Sequence, residues 1–324
     1  MTRTVLVAGE TLIDFIPQQT GPLAAVETFS RRAGGAPANV AAGLAHLDTL
    51  PDFWTRVGDD AFGDYLTEVL TDAGLDDTYV EVDEEAKTGL AFVSLGEEAE
   101  REFSFHRHES ADTRLQSGRV DDAALADVEW VHVGGVTLAD EPARTATLDL
   151  VERARAADAT VSFDPNARPE LWAGADVSFA ETLEEVLGRV DVLKATPDDL
   201  AATGIDIDHD APARTAEALL DRGPHTVFLT LGGEGSVVAA SADAPWADGP
   251  TTVGHDGYTV EPVDTTGAGD AFTAGIIAAL VDGERVDEAL GFGNAVAAVT
   301  TTAQGAMTAL PTREEVAAFR AEQS

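Results

Sequence analysis

The 324-residue sequence predicts an α/β fold: a three-layer α/β/α body built on a mostly parallel sheet, with a small β-sheet lid. Two observations carry that prediction. Apolar runs of strand length alternate with stretches of helical spacing, and each run is apolar throughout rather than at every second position, as in strands covered by helices on both faces. Two other segments alternate in a β manner with no helix attached, which is the pattern of a separate small sheet.

In chain order, the buried strands are TVLVAG (4–9), WVHVGG (130–135), TVSFDPN (160–166), VDVLKA (190–195) and TVFLTLGG (226–233). Each closes on small or polar residues. Helical spacing occupies PANVAAGLAHL (37–47), EPARTATLDLVERARAA (141–157), APARTAEALLDRG (211–223) and AFTAGIIAALV (271–281). The alternating segments are TLIDFIPQQ (11–19) and TGLAFVSLGEEAEREFSFHRH (88–108), the second with a polar turn near Gly96–Glu100. They are expected to form an antiparallel lobe inserted into the body as a lid. No repeat, Pro-rich linker or low-complexity segment interrupts the chain, so residues 1–324 are expected to form one domain carrying that insertion. In parallel sheets ligands sit at the carboxyl ends of the strands, so the chemistry should cluster there.

Composition narrows the function classes. Twenty basic residues against 59 acidic ones give a net charge of −39, and the only lysines are Lys87 and Lys194. Such a field excludes DNA and RNA as natural partners. The acid is spread along the chain rather than gathered in a tail, which suggests adaptation to high salt, where self-repulsion is screened. There is no cysteine, so disulfides and thiolate metal sites are ruled out. The N-terminus runs straight into an apolar strand with a carboxylate behind it, unlike a signal peptide, and the longest apolar stretch is too short to span a bilayer. A cytoplasmic protein without membrane attachment is the expectation.

The stretch VDTTGAGDAF (263–272) is the sharpest local signal. It lacks the lysine that ends the common phosphate loop. Gly267, Ala268 and Gly269 fall at the first turn of the following helix, where backbone N–H groups and the helix dipole favour an anion and glycines permit close approach. Asp270 beside that nest would repel a phosphate unless it serves as a base, taking a proton from an alcohol while the amides receive phosphoryl charge. A plain helix cap is the alternative on local chemistry alone.

DTTGAGDAF resembles the C-terminal signature of the ribokinase-like (PfkB) carbohydrate kinases, and RAGGAPANVAAGLAHL (32–47) resembles their N-terminal glycine-rich segment, about 230 residues earlier. The wording is nearest to the fructokinases through GETLIDFIP, GGAPANVA, RVGDDAFG, FSFHR and SFDPNARPELW, and is similar in places to the 2-keto-3-deoxygluconate kinases. The resemblance implies ATP-dependent phosphorylation of a primary hydroxyl of a small sugar, with Mg²⁺. Asp270 would be the base and the amides of Gly267, Ala268 and Gly269 the anion hole. It also implies a β lid that closes over the sugar and joins two copies into a homodimer.

Further residues follow from the same motifs. Asp14 lies just past the first strand, where a carboxylate can accept sugar hydroxyls, though an acidic chain could also carry it as surface charge. Gly34, Gly35 and Asn39 open the next helix, with Asn39 suited either to a polyol or to capping. Asn166 and Arg168 follow a strand end, and Arg168 fits a phosphate, a carboxylate or a salt bridge. Arg107 lies on the expected lid, in reach of substrate on closure or idle and exposed. For the nucleotide the resemblance implies Lys194, Thr230, Gly232, Gly235 and Asn294. In the stretch KATPDD, Lys194 and Pro197 stand where the family has the Asn and Glu of a metal-organising motif, leaving Asp198 or Asp199 as substitutes. Asp264, Thr266 and the loop around Gly305 resemble a monovalent-cation segment, which makes K⁺ a further candidate ion. Fructokinase is the leading reading. 2-Keto-3-deoxygluconate kinase, whose acidic substrate would call for Arg107 and Arg168, comes next, and an inactive sugar-binding regulator is the alternative from outside enzymology.

Overall fold

The computed structural model describes residues 4–95, 101–173, 175, 177–205 and 211–323. A nine-stranded sheet forms the body. In chain order its strands are β1 (Val5–Ala8), β4 (Asp52–Gly58), β5 (Val80–Asp83), β8 (Trp130–Gly134), β9 (Thr160–Asp164), β10 (Val192–Ala195), β11 (Thr226–Thr230), β12 (Ser236–Ala240) and β13 (Thr251–His255). A second sheet holds β2 (Leu12–Pro17), β3 (Phe29–Gly34), β6 (Leu90–Leu95) and β7 (Arg101–His106).

Across the large sheet the order is β13-β12-β11-β10-β9-β8-β1-β4-β5, parallel from β5 through β11 and antiparallel at β12 and β13. The five buried strands expected from the sequence are all present. β1, β8, β10 and β12 are buried along their whole length, because helices cover both faces. Two cores result. Val5, Val7, Val192 and Phe228 pack against the helices Ala36–His46, Ala268–Val281 and Val286–Thr301 on one face; Leu6, Val131, Val161, Leu193 and Leu229 pack against Ala143–Ala156, Phe179–Leu187 and Pro212–Leu220 on the other. β1 lies between β8 and β4, so the chain leaves it first to one side and later to the other. That reversal opens a crevice at its carboxyl end.

The small sheet corrects two expectations. Its order is β3-β2-β6-β7, and while β2/β3 and β6/β7 are antiparallel, β2 and β6 run parallel, so the lobe is mixed rather than antiparallel. Its third strand, β3, was not foreseen; FSRRAG carries two exposed arginines in its middle and shows no apolar alternation. The turn expected near Gly96–Glu100 falls outside the described residues. Phe15, Phe29 and Phe92 interlock on this sheet, with Phe15 and Phe92 stacked at 4.9 Å.

Candidate active site

The carboxyl ends of β1, β8, β9 and β10, the N-termini of two helices and the edge of the small sheet enclose a cavity of about 380 Å³. This is the size of a small-molecule site. Its walls join residues from across the sequence: Glu10, Asp14, Gly35, Asn39, Asn166, Arg168, Lys194, Thr266, Gly267, Gly269 and Asp270 all line it.

The helix Ala268–Val281 supplies its floor. Gly267 caps this helix in the left-handed conformation (φ 77°), and a Cβ there would lie 2.7 Å from the Ala306 side chain, so only glycine fits both the turn and the space. Gly267 and Gly269 line the cavity. The Ala268 N–H instead points to the Thr265 carbonyl at 3.3 Å, which narrows the expected three-amide nest to its two glycines. Asp270 follows in the first turn, and its Oδ2 accepts a hydrogen bond from Asn39 Nδ2 at 2.7 Å. Although part of its surface faces the cavity, the walls hold its carboxyl away from bulk water. That desolvation, helped by the nearby Asp164 charge and opposed by Asn39, Lys194 and Arg168, pushes Asp270 up to about 7. A carboxylate so poised can take a proton from an alcohol near neutral pH.

Asn39 is held by the helix Ala36–His46, which Gly35 opens at φ 106°; a Cβ on Gly35 would meet the Glu10 carbonyl at 2.4 Å. Gly34 abuts Asp14, whose carboxylate would lie 2.1 Å from a Cβ there. Asp14 sits on β2 of the small sheet, so one acid group from that sheet and one, Asp270, from a helix of the body line the same cavity.

Lys194, 5% exposed, pairs with Asp164 across 2.9 Å, and its Nζ lies 3.1 Å from where a Cβ on Gly269 would stand. Burial alone would lower its pKa, but Asp164, Asp199 and Asp270 outweigh that and hold it charged beside the glycine turn. Pro197 begins the short helix Pro197–Ala201, a position that suits a residue without an N–H. Asp199 closes that helix's capping box with Thr196 and also accepts the Ala167 N–H at 2.7 Å, so its carboxylate is occupied. Asp198 is exposed on the cavity wall.

Several expected residues lie elsewhere. Arg107 is neither exposed nor on the cavity: it is 3% exposed and binds Asp112 through Nε at 2.6 Å and Nη2 at 2.5 Å. Thr230, Gly232 and Gly235 sit at and after the end of β11, away from the cavity lining. Asn294 is buried in the helix Val286–Thr301, where Nδ2 donates to Ser236 Oγ and to the Leu290 carbonyl. Asp264 accepts the N–H and hydroxyl of Thr266 through Oδ1 and the Gly305 N–H through Oδ2, so it ties two loops together beside the glycine turn. Among the described residues no cluster of three metal-ligating side chains is preformed.

Sequence reasoning missed Glu10, Asp164 and the lid residues Leu12, Phe103 and Phe105, all of which line the cavity. Phe103 and Phe105 stack at 5.8 Å, and the Arg168 guanidinium lies 5.2 Å from the Phe103 ring, joining small sheet to body. The pattern FSF was visible, but nothing in it shows that its aromatic rings turn inward.

A family model described as pfkB family carbohydrate kinase matches residues 2–313. The chain belongs to that family. It is 37% identical to a probable chloroplastic fructokinase-6 of Arabidopsis thaliana over 322 residues, covering 96% of this chain and 81% of that one. Among solved structures it superposes on an ATP-bound fructokinase from Xylella fastidiosa with a TM-score of 0.86 at 32% identity, covering 100% of this chain and 99% of the other. A double-mutant fructokinase from Vibrio cholerae O395, bound to fructose, ADP and a potassium ion, gives 0.81 at 31% identity over 98% of both chains. This protein is accordingly a sugar kinase, and the cavity lies at the crevice where an α/β sheet binds its ligands. No helix among the described residues is long and apolar enough to cross a membrane.

Proposed function

We propose that this carbohydrate kinase is a fructokinase, transferring the γ-phosphoryl group of ATP to a primary hydroxyl of fructose. The observation that supports it most is Asp270, held by Asn39 beside the glycine turn in a cavity that Asp14 also lines. Asp270 takes the proton of the attacking hydroxyl. The amides of Gly267 and Gly269, the helix terminus and the Lys194 ammonium receive the charge on the transferred group. Asp14, Asn39, Gly34 and Gly35 hold the sugar.

A divalent ion travelling with the nucleotide fits the same wall. Mg²⁺ takes one or two carboxylates and the substrate's phosphates rather than a complete protein cage, and Asp198 presents an exposed carboxylate there. Once bound, it neutralises phosphate charge. Asp264 and Thr266 would hold K⁺. Phe103 and Arg168 close the lid, the small sheet joins two copies, and the acidic surface suits a cytoplasm rich in salt.

The structure weakens the keto-acid reading. Of the two arginines that a carboxylate substrate would call for, Arg107 is taken up by Asp112, and the cavity already presents Glu10 and Asp14. The test is ADP release with fructose, 2-keto-3-deoxygluconate, ribose and adenosine in molar KCl. Turnover with fructose well above the others is expected. Turnover confined to the keto acid refutes fructose, and none with any sugar favours a regulator.

A further inference from the structure

Glu10 lies in the short connection from β1 of the large sheet to β2 of the small one and is 2% exposed. Its Oε1 accepts the N–H of Ala36, the first residue of the helix Ala36–His46, at 3.2 Å. Its Oε2 is buried without a hydrogen-bond partner. Asn39, one turn along that helix, has the same asymmetry: Nδ2 is given to Asp270, while Oδ1 is buried without a partner. Both side chains line the cavity.

Folded proteins leave few buried polar atoms unpaired, so two such oxygens on residues that line one cavity call for a ligand. Protein groups do not fill the role. Arg107 attracts Glu10, but its Nε is given to Asp112, its Nη2 lies against the same carboxylate, and its Nη1 is buried without a hydrogen-bond partner, so none of its nitrogens bonds Oε2. A hydroxyl can both donate and accept: it accepts from a protonated Glu10 while donating to the amide oxygen of Asn39, or donates to an ionised Glu10 and leaves Asn39 Oδ1 to a second hydroxyl of the same sugar. The Ala36 N–H fixes the carboxyl before any ligand arrives, so little rotamer freedom is lost on binding.

We propose that Glu10 is a specificity-determining residue that binds a hydroxyl of the acceptor sugar through Oε2, beside Asn39. This rests on the sugar-kinase assignment and adds a contact to the same site.

The test compares wild type with Glu10→Gln, which keeps an oxygen for Ala36, and Glu10→Met, which removes both oxygens at similar size. Fructose binding to the whole protein is measured by calorimetry without nucleotide, and KM is measured separately for sugar and ATP. Loss of one good polar contact corresponds to about tenfold or more in sugar Kd for Glu10→Met, with a smaller loss for Glu10→Gln and little change in the ATP KM. Among the deoxyfructose analogues, one should cost wild type about tenfold yet cost Glu10→Met nothing, and that analogue identifies the hydroxyl. Wild-type sugar affinity in Glu10→Met overturns the proposal. So do equal losses in both proteins for every analogue, since a merely structural glutamate would lower Tm and disturb sugar and ATP alike. If wild type binds another sugar and not fructose, the fructose assignment fails, and the same comparison with deoxy analogues of that sugar decides for Glu10.

Discussion

Replacing Asn39 by leucine should move the acid limb of the pH–rate profile upward. Asn39 Nδ2 donates to Asp270 Oδ2 at 2.7 Å, and this bond lowers a pKa that desolvation has raised to about 7. A hydrogen bond to a charged group contributes about 1.5–3 kcal/mol, and one pKa unit corresponds to about 1.36 kcal/mol, so its loss is equivalent to roughly one to two units. The sign is fixed because the bond favours the ionised form, and only the ionised form can take a proton. In wild type, kcat/KM should fall about tenfold per unit of pH below about 7. In Asn39→Leu the break should lie at about pH 8–9. The assay is kcat/KM for the sugar from pH 5 to 10, which reports groups of the free enzyme. Asn39 also lines the cavity, so the height of the profile should drop as well, and only the position of the break is diagnostic. Glu10 is likewise pushed up to about 7, chiefly by burial, so Glu10→Gln is run in parallel. A limb that stays in place in Asn39→Leu, or that vanishes in Glu10→Gln, refutes Asp270 as the titrating base.

Three further outcomes are expected. Asp270→Asn should lower kcat by about 10²–10⁴-fold while sugar binding by calorimetry stays within a few-fold, and near-normal turnover would remove the base from the mechanism. Lys194→Met strands Asp164 without its partner at 2.9 Å and should cost about 3–5 kcal/mol at neutral pH, less as pH falls and Asp164 takes up a proton; an unchanged urea midpoint contradicts this. Molar KCl shortens the Debye length to about 3 Å and should raise Tm for a chain of net charge −39, whereas equal melting in low and high salt rejects adaptation to salt.

The body was legible because burial on both faces makes a strand apolar along its length, as in β1 and, Lys194 apart, in β10. β13 was not, since its residues alternate between half-buried and exposed at an edge and its sequence TTVGH carries no strong strand signal. The parallel pairing of β2 with β6 was hidden for another reason: it joins segments separated by three intervening strands and helices, and pairing partners leave no mark on either segment alone. In the site, Asp270 and Asn39 could be picked out because each lies in a glycine-rich turn that opens a helix. Their hydrogen bond spans 231 residues and could only be seen folded. Arg107 misled because a lid position suggested solvent, while Asp112, five residues on, folds back to bury it. Glu10 looked like an ordinary strand-end charge; what marks it is an oxygen with nothing to bind.

Asp14 rides on the small sheet and Asp270 on a helix of the body, and Leu12, Phe103 and Phe105 of the small sheet line the same cavity. The walls of one pocket thus belong to two separately hydrogen-bonded sheets. Its width is set by how the sheets lean on each other, and not by the fold of either alone.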